Sequence, residues 1–175
     1  RLYRRFFFDP KRIKNFYLRY MQRKKSLTIS DAKKKLEHYC VYQERCHKEV
    51  INKLKELGII PSAIDLIVAD LIQNNYLNET RFAQSYARGK FNIKKWGKGR
   101  ILRELKKRGI SEYNINVGMK EILDSDYEEK FRELLEKKLE EFSHLTKYDQ
   151  KKKLLRYFSY KGWETEKVFD ALRKI

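Results

Sequence analysis

The chain has 175 residues, of which 41% are hydrophobic and 38% charged, with only 7 Gly and 2 Pro. This composition can form an apolar core and suits exposed helices, and it disfavours a fold dominated by sheets and loops. The 42 Lys and Arg against 24 Asp and Glu give a net charge of +18, which favours a polyanionic partner, nucleic acid first.

Residues 1–30 form a basic, aromatic segment outside the pattern of the remaining chain. They hold ten Lys or Arg against one Asp, and six aromatic residues occur within the first 17 positions. Two interpretations stay open: a nucleic-acid-binding arm, or an upstream extension before a natural start at Met21. The start RLYRRFFFDP is not expected to be a signal peptide, because only three apolar residues run together.

Three glycines, Gly58, Gly109 and Gly162, mark an internal repeat, since they lie 51 and 53 residues apart and their flanks align without gaps. Apolar residues recur eight, seven and four positions before each glycine and one, six and ten positions after it. This spacing predicts a helix that ends at a left-handed glycine cap, followed by a second helix. Ser62, Ser111 and Thr165 are the predicted N-caps of those second helices, Ser62 with Asp65 as a capping box.

A further amphipathic stretch precedes each helix pair, over residues 31–45, 79–95 and 126–142. The first places Leu36, Tyr39, Cys40 and Gln43 on one side. The unit is therefore three helices, and it occurs three times, over 31–77, 78–125 and 126–175. We expect an all-α fold in which three tandem three-helix repeats pack end to end into an elongated, curved array.

The two cysteines, Cys40 and Cys46, are flanked by His38 and His47, which leaves two interpretations. A zinc site would need a C-x2-C pair or a second half-site, and the sequence has neither. Buried thiols in a reducing compartment are the alternative. No membrane span is expected, because Pro61 and acidic residues interrupt the most apolar segment. The predicted location is the cytoplasm.

The stretch KKWGKGRILRELKKRGI, residues 94–110, resembles a phosphate-binding loop only superficially. Its glycines are one residue apart, Arg100 follows Gly99, and a helical pattern precedes it instead of a strand. We interpret Gly97-Lys98-Gly99 as a turn between helices. No histidine is placed beside a Ser or Cys nucleophile in a recognisable motif, so neither an enzyme nor a bound cofactor is predicted.

Positive charge is concentrated on particular helices. Residues 98–108 and 150–162 each carry a net +5 and residues 79–95 carry +4, against +1 for 46–57 and −3 for 126–142. This distribution favours a basic stripe that meets an extended charged partner; solvated helix faces are the alternative. The predicted partner-binding or DNA-binding residues are Arg81, Arg88, Lys94, Lys95, Lys98, Arg100, Arg103, Lys106, Lys107, Arg108, Lys152 and Arg156.

Two adjacent motifs, NYLNETRFAQSYARGKF and KWGKGRILRELKKRGIS, resemble the middle of the RecX family of RecA regulators. The positions of the family pattern are occupied here by Tyr76, Leu77, Asn78, Glu79, Arg81, Phe82, Ala83, Gly99, Arg100, Ile101, Glu104, Leu105, Arg108, Gly109 and Ile110. Glu79 departs from it, because the family usually has Asp there. HYCVYQERC, residues 38–46, is similar to RecX proteins of Bacteroidetes-type bacteria. The resemblance covers about residues 31–175.

The resemblance implies three tandem three-helix units and a non-enzymatic protein of DNA repair, recombination and the SOS response. RecX-like proteins lie in the groove of the RecA filament on DNA, hinder its ATPase and strand exchange, and limit its growth. The implied partners are thus the RecA filament and non-specific single- or double-stranded DNA, bound by a monomer. A stand-alone DNA-binding or architectural protein is the alternative function.

Overall fold

Helices account for nearly all of the part of the chain that the computed structural model describes, residues 27–174, and no strand occurs there. The predicted arm or extension at residues 1–30 lies almost entirely outside these residues. The nine described helices are α1 (Ile29–Tyr42), α2 (His47–Glu56), α3 (Pro61–Gln73), α4 (Glu79–Asn92), α5 (Lys98–Lys107), α6 (Glu112–Met119), α7 (Asp124–Glu141), α8 (Lys147–Lys161) and α9 (Thr165–Arg173).

The helices form three units of three, α1–α3, α4–α6 and α7–α9, which confirms the all-α tandem repeat. In each unit the second and third helices are joined by the predicted glycine. Gly58, Gly109 and Gly162 have φ of +77°, +76° and +83°, the left-handed region that favours glycine. The amide after each glycine donates to the carbonyl five residues earlier, at 3.0–3.2 Å, closing the same cap three times.

The apolar positions that recur around the glycines form the core of each unit. The residues four before each glycine, Leu54, Leu105 and Phe158, are fully buried at 0% exposure. Those eight before are buried too, and those seven before are half-buried. One helical face therefore points inward in all three units, as the spacing predicts.

Two of the three predicted N-caps are wrong. Ser111 does cap α6, where its side chain accepts from the amide of Asn114. In unit 1, Ile60 is the cap and Pro61 begins α3, so Ser62 lies inside the helix. Proline needs no capped amide in that first position. In unit 3 the cap is Glu164, one residue before the predicted Thr165.

The helix predicted over residues 31–45 is also shorter than expected. It ends at Tyr42, and Gln43 is an exposed, extended residue instead of a member of the apolar face. Cys46 then caps α2, and both cysteines are buried and free. Burial raises the pKa of the Cys40 thiol to about 11. Within the described residues, no group of three His, Cys, Asp or Glu could hold a metal ion.

The hydrophobic core is divided unevenly among the units. Unit 1 has a core of its own, built around Leu36, Leu54 and Leu71. Units 2 and 3 share one continuous core, which runs from Phe82 to Leu172 and also includes Cys46 of unit 1. The three tandem three-helix repeats are thus present as expected. The curved, elongated shape of the array stays a prediction.

Candidate functional site

Two glycines bring the backbones of units 2 and 3 into direct contact. The amide of Gly97 donates to the carbonyl of Lys161 at 2.9 Å, and that of Gly99 donates to the carbonyl of Gly162 at 3.1 Å. A Cβ on Gly97 would lie 2.4 Å from the Gly162 oxygen, closer than any real side chain. Gly97 caps α5 at the end of the predicted turn between helices, and its φ of −74° is open to any residue. Glycine is needed here for a reason that the prediction did not include, the close approach of two backbones.

The turn itself depends on Lys95, which has a φ of +55° and lies just before this contact. Aromatic packing closes the interior of the same boundary. The rings of Tyr127 and Trp163 stack with centroids 4.4 Å apart, and the Trp163 indole donates to the Lys95 carbonyl at 3.3 Å. The Tyr127 hydroxyl donates to Glu164 at 2.7 Å. Units 2 and 3 are therefore held in one fixed relation.

Basic and aromatic side chains surround the outer edge of this boundary. We name them the junction cluster, and its members are Lys94, Trp96, Arg100, Tyr160 and Lys161. The Arg100 guanidinium lies over two rings, 4.1 Å from the centroid of Trp96 and 4.5 Å from that of Tyr160. It also donates to the Tyr160 carbonyl at 2.8 Å. Cation–π contact and a hydrogen bond together fix its plane.

The junction cluster holds its cations close together. The Lys161 ammonium donates to the Lys94 carbonyl at 3.0 Å. Burial lowers the pKa of Lys161, and the positive charges of Arg100, Lys138 and Lys94 lower it further. Among residues 27–174, no carboxylate pairs with Lys94, Arg100 or Lys161. This arrangement attracts anions, since each additional negative charge there relieves repulsion.

Several predicted site residues instead hold the protein together. Arg81 joins units 1 and 2, because its guanidinium donates to Glu44 at 2.5 Å and to the Asn75 side chain at 3.0 Å. Arg108 donates to Glu104 on its own helix at 2.5 Å and lies over the Tyr86 ring at 4.8 Å. These two guanidiniums are thereby committed to contacts within the chain.

Two further predicted cations pair with acids next to α7. Arg88 donates to Glu121 at 2.7 Å, and Lys98 donates to Asp124 at 2.6 Å. Lys95 lies near Glu133, whose pKa is lowered by the hydrogen bond from Lys130 and also by the Lys95 charge. The acidic character of α7, expected from its net charge of −3, is thus partly neutralised from unit 2.

The remaining predicted cations are exposed on the outer sides of their helices. On α5, Arg103, Lys106 and Lys107 point away from buried Ile101 and Leu105. On α8, Lys152 and Arg156 are exposed on the side opposite Leu154 and Phe158. The structure therefore separates two sets among the predicted residues: cations that face solvent and cations that join helices.

Sequence reasoning predicts two members of the junction cluster, Lys94 and Arg100, and misses the other three. Trp96 and Tyr160 were not selected, and Lys161 was counted only as charge. A usable signal is the pairing of WGKGR with YKGW, because each combines glycine, a basic residue and tryptophan. Only tertiary contact shows that these two motifs meet.

Comparison with known proteins identifies the architecture. Residues 78–119 match the family model described as the second three-helix domain of RecX, and residues 125–172 match the third. The chain belongs to the RecX family. The matched ranges fall within units 2 and 3, the two units joined by the glycine contact.

Individual relatives extend the match across unit 1. The regulatory protein RecX of Lactobacillus johnsonii is 27% identical over 82% of this chain, and that of Bacillus licheniformis is 29% identical over 81%. The crystal structure of RecX from Lactobacillus salivarius is 28% identical, covers 84% of this chain and 97% of that one, and has a TM-score of 0.69.

The chain spans about half the length of the curated relatives it matches, 53% of one and 54% of the other. These relatives come from lactobacilli and bacilli, and the similarity of HYCVYQERC to Bacteroidetes proteins stays a prediction. RecX is a family of regulatory proteins and is not known as a family of enzymes. No helix within the described residues is long and apolar enough to cross a membrane.

Proposed function

We propose that this protein binds the RecA filament on DNA and inhibits its ATPase activity, strand exchange and growth. Membership of the RecX family supports this proposal, and it is the observation that carries it. The protein would act in the cytoplasm as a monomer, without a cofactor and without catalysing a reaction. The proposed units are residues 31–77, 78–125 and 126–175.

The rigid block of units 2 and 3 suits such a role. A filament presents the same surface at regular intervals, so a protein that binds several subunits needs binding faces at a fixed separation. The exposed cations of α5 and α8 stand on two helices whose relation is set by backbone hydrogen bonds. They can meet DNA phosphates or the carboxylates of RecA subunits.

The direct test is DNA-dependent ATP hydrolysis by the RecA of the same organism. Substoichiometric amounts of this protein should lower the steady-state rate, because one bound molecule blocks filament growth beyond itself. The measurement is repeated without residues 1–30. An unchanged rate at equimolar, folded protein would contradict the proposal.

Charge reversal on α5 tests which surface acts. The variant Arg103→Glu/Lys106→Glu/Lys107→Glu changes three exposed side chains and leaves Arg100 in place at the junction. We expect it to lose most of its inhibition while its thermal unfolding is unchanged.

A matched control changes the same charge on unit 1. Its members are exposed lysines of α1 and α2, and the variant is Lys34→Glu/Lys35→Glu/Lys55→Glu. Equal loss of inhibition in both triple variants would show that net charge, and not the α5 face, governs the effect.

Stand-alone DNA binding is the second candidate function, and the unpaired cations of the junction cluster favour it. It requires tight binding to DNA without RecA, with an affinity that falls steeply as salt rises. If the α5 triple variant loses DNA affinity and keeps full inhibition, the stripe binds DNA and another surface contacts RecA.

A further inference from the structure

Tyr160 combines exposure with a fixed ring. Its side chain is 66% exposed, although one part of the ring lies against the Arg100 guanidinium at 4.5 Å. The backbone beneath it is held by the Arg100 hydrogen bond to its carbonyl. An exposed aromatic ring usually has free rotamers, and ordering it on binding costs conformational entropy. Here the contact with Arg100 already restricts the ring, so binding a partner costs less conformational entropy.

Within the described residues no carboxylate forms an ion pair with the cations around this ring. Glu104 lies on the same helix as Arg100, and its pKa is lowered by the hydrogen bond from Arg108 and also by the Arg100 charge. Lys94, Arg100 and Lys161 belong to three different structural segments: the turn after α4, the start of α5 and the end of α8. The Arg100 guanidinium lies against Trp96 at 4.1 Å, and the charges of Arg100 and Lys94 both act on the Lys161 ammonium. Lysines that only keep a protein soluble are not expected to lie close together, because their like charges repel.

We propose that the junction cluster binds single-stranded nucleic acid, with a backbone phosphate among Lys94, Arg100 and Lys161 and the adjacent base stacked on Tyr160. The inference deepens the proposed function, on which it rests for the presence of DNA beside the protein. It names the strand type and places one nucleotide.

The aromatic ring is what selects a single strand over a duplex. Each base of a duplex is stacked on both faces, so Tyr160 has no base face to contact unless the strand is opened. In a single strand the base faces are free, and stacking on an aromatic side chain does not depend on sequence. An acidic peptide would neutralise the three cations equally well, but its carboxylates would not stack on the Tyr160 ring.

The experiment measures the anisotropy of a labelled oligothymidylate titrated with the full chain, without RecA. Three competitors of equal length are compared: oligothymidylate, the same backbone with abasic sites, and duplex DNA. We expect the abasic strand and the duplex to compete more weakly than oligothymidylate. Equal competition by the abasic strand would overturn base stacking, and equal or stronger competition by the duplex would overturn the strand preference.

Tyr160→Ala is the central variant. Loss of one stacked base should weaken oligothymidylate binding by about 5- to 150-fold and leave the affinity for the abasic strand unchanged. Tyr160→Phe keeps the ring and should bind like the parent protein. Tyr148→Ala is the matched control, because Tyr148 lies on the same helix, is 75% exposed and is not part of the cluster. An effect of Tyr148→Ala equal to that of Tyr160→Ala would refute the placement.

The phosphate contact is tested through salt dependence. Lys94→Gln should reduce the slope of log affinity against log salt by about 0.7, the value for one single-strand phosphate. Lys35→Gln, on exposed unit 1 surface, should leave the slope unchanged. If polyglutamate displaces the oligonucleotide from the parent protein better than abasic DNA does, the cluster is a site for acidic protein segments instead.

The two proposals fail separately. Oligonucleotide binding is measured without RecA, so a protein that binds it yet leaves RecA ATPase unchanged contradicts only the proposed function. If the Tyr160→Ala variant inhibits RecA fully and binds the oligonucleotide with unaltered affinity, only the stacking site is contradicted.

Discussion

Replacement of Gly97 by alanine should separate units 2 and 3 at their closest point. The new Cβ would lie 2.4 Å from the Gly162 oxygen and 2.6 Å from the Trp163 nitrogen. Ordinary contact requires about 3.5 Å, so the two backbones must move apart by about 1 Å. The bond from Gly97 to Lys161, now 2.9 Å, would then exceed the limit of a hydrogen bond.

The cost follows from these displacements. Loss of the Gly97 and Gly99 hydrogen bonds costs about 1 kcal/mol each, because their groups stay buried. Strain from overpacking adds about 1–3 kcal/mol. The smaller conformational freedom of alanine in the unfolded chain returns about 0.4–1 kcal/mol. Gly97→Ala should therefore lower the free energy of unfolding by about 2–5 kcal/mol.

Urea unfolding followed by far-UV circular dichroism measures this change. The fluorescence of the two tryptophans, Trp96 and Trp163, reports the boundary itself, since both lie there. Gly89→Ala is the control, because Gly89 lies inside α4 with nothing within 4 Å of an added Cβ. It should raise stability by about 0.5–1 kcal/mol, as expected for glycine in a helix interior. A Gly97→Ala variant within about 1 kcal/mol of the parent protein would refute the reasoning about close approach.

Three further expectations follow from cap geometry and burial. Gly109→Ala should lower the free energy of unfolding in urea by about 1–2 kcal/mol, because alanine disfavours the left-handed backbone. Gly162→Ala should cost about 1–3 kcal/mol more, because its Cβ would also meet Arg100 of unit 2. Equal costs for the two variants would contradict this reasoning. Tyr127→Phe should cost about 1–2 kcal/mol in the same assay, since it removes the buried hydroxyl that donates to Glu164, and a neutral result would show that water replaces it. The Cys40 thiol, with its pKa raised from 9.0 to about 11, should resist labelling by thiol reagents in the native state. The unfolded chain releases this proton first, so thermal stability should fall between these two pH values, and Cys40→Ala should remove that part of the fall.

The repeat could be predicted because its signals are local. The glycine cap and the buried position four before it, as at Leu105, depend on residues within three helical turns of one another. Ser62 resembles a cap in sequence, but Pro61 beside it carries the better signal, since proline favours the first helical position.

The junction could not be predicted, because it depends on contact between segments far apart in the chain. Gly97 and Gly162 are 65 positions apart in the printed sequence, and each has an adequate local explanation as a turn or a cap. For the same reason a count of charges along the sequence cannot distinguish Arg81 from Arg103. Only the packing of the units shows that Arg81 forms an ion pair with Glu44 and that Arg103 faces solvent.

The contact at Gly97 has a consequence for how this protein tolerates change. The hydrogen bonds that set the separation of α5 and α8 run from main-chain N–H groups to main-chain carbonyls. Every amino acid has both groups except proline, which lacks the N–H. Substitutions on the outer faces of these helices can therefore alter the charge that a partner meets without altering the distance between the two charged faces. The distance between α5 and α8 therefore depends on the absence of one methyl group, the Cβ that any other residue would have at position 97.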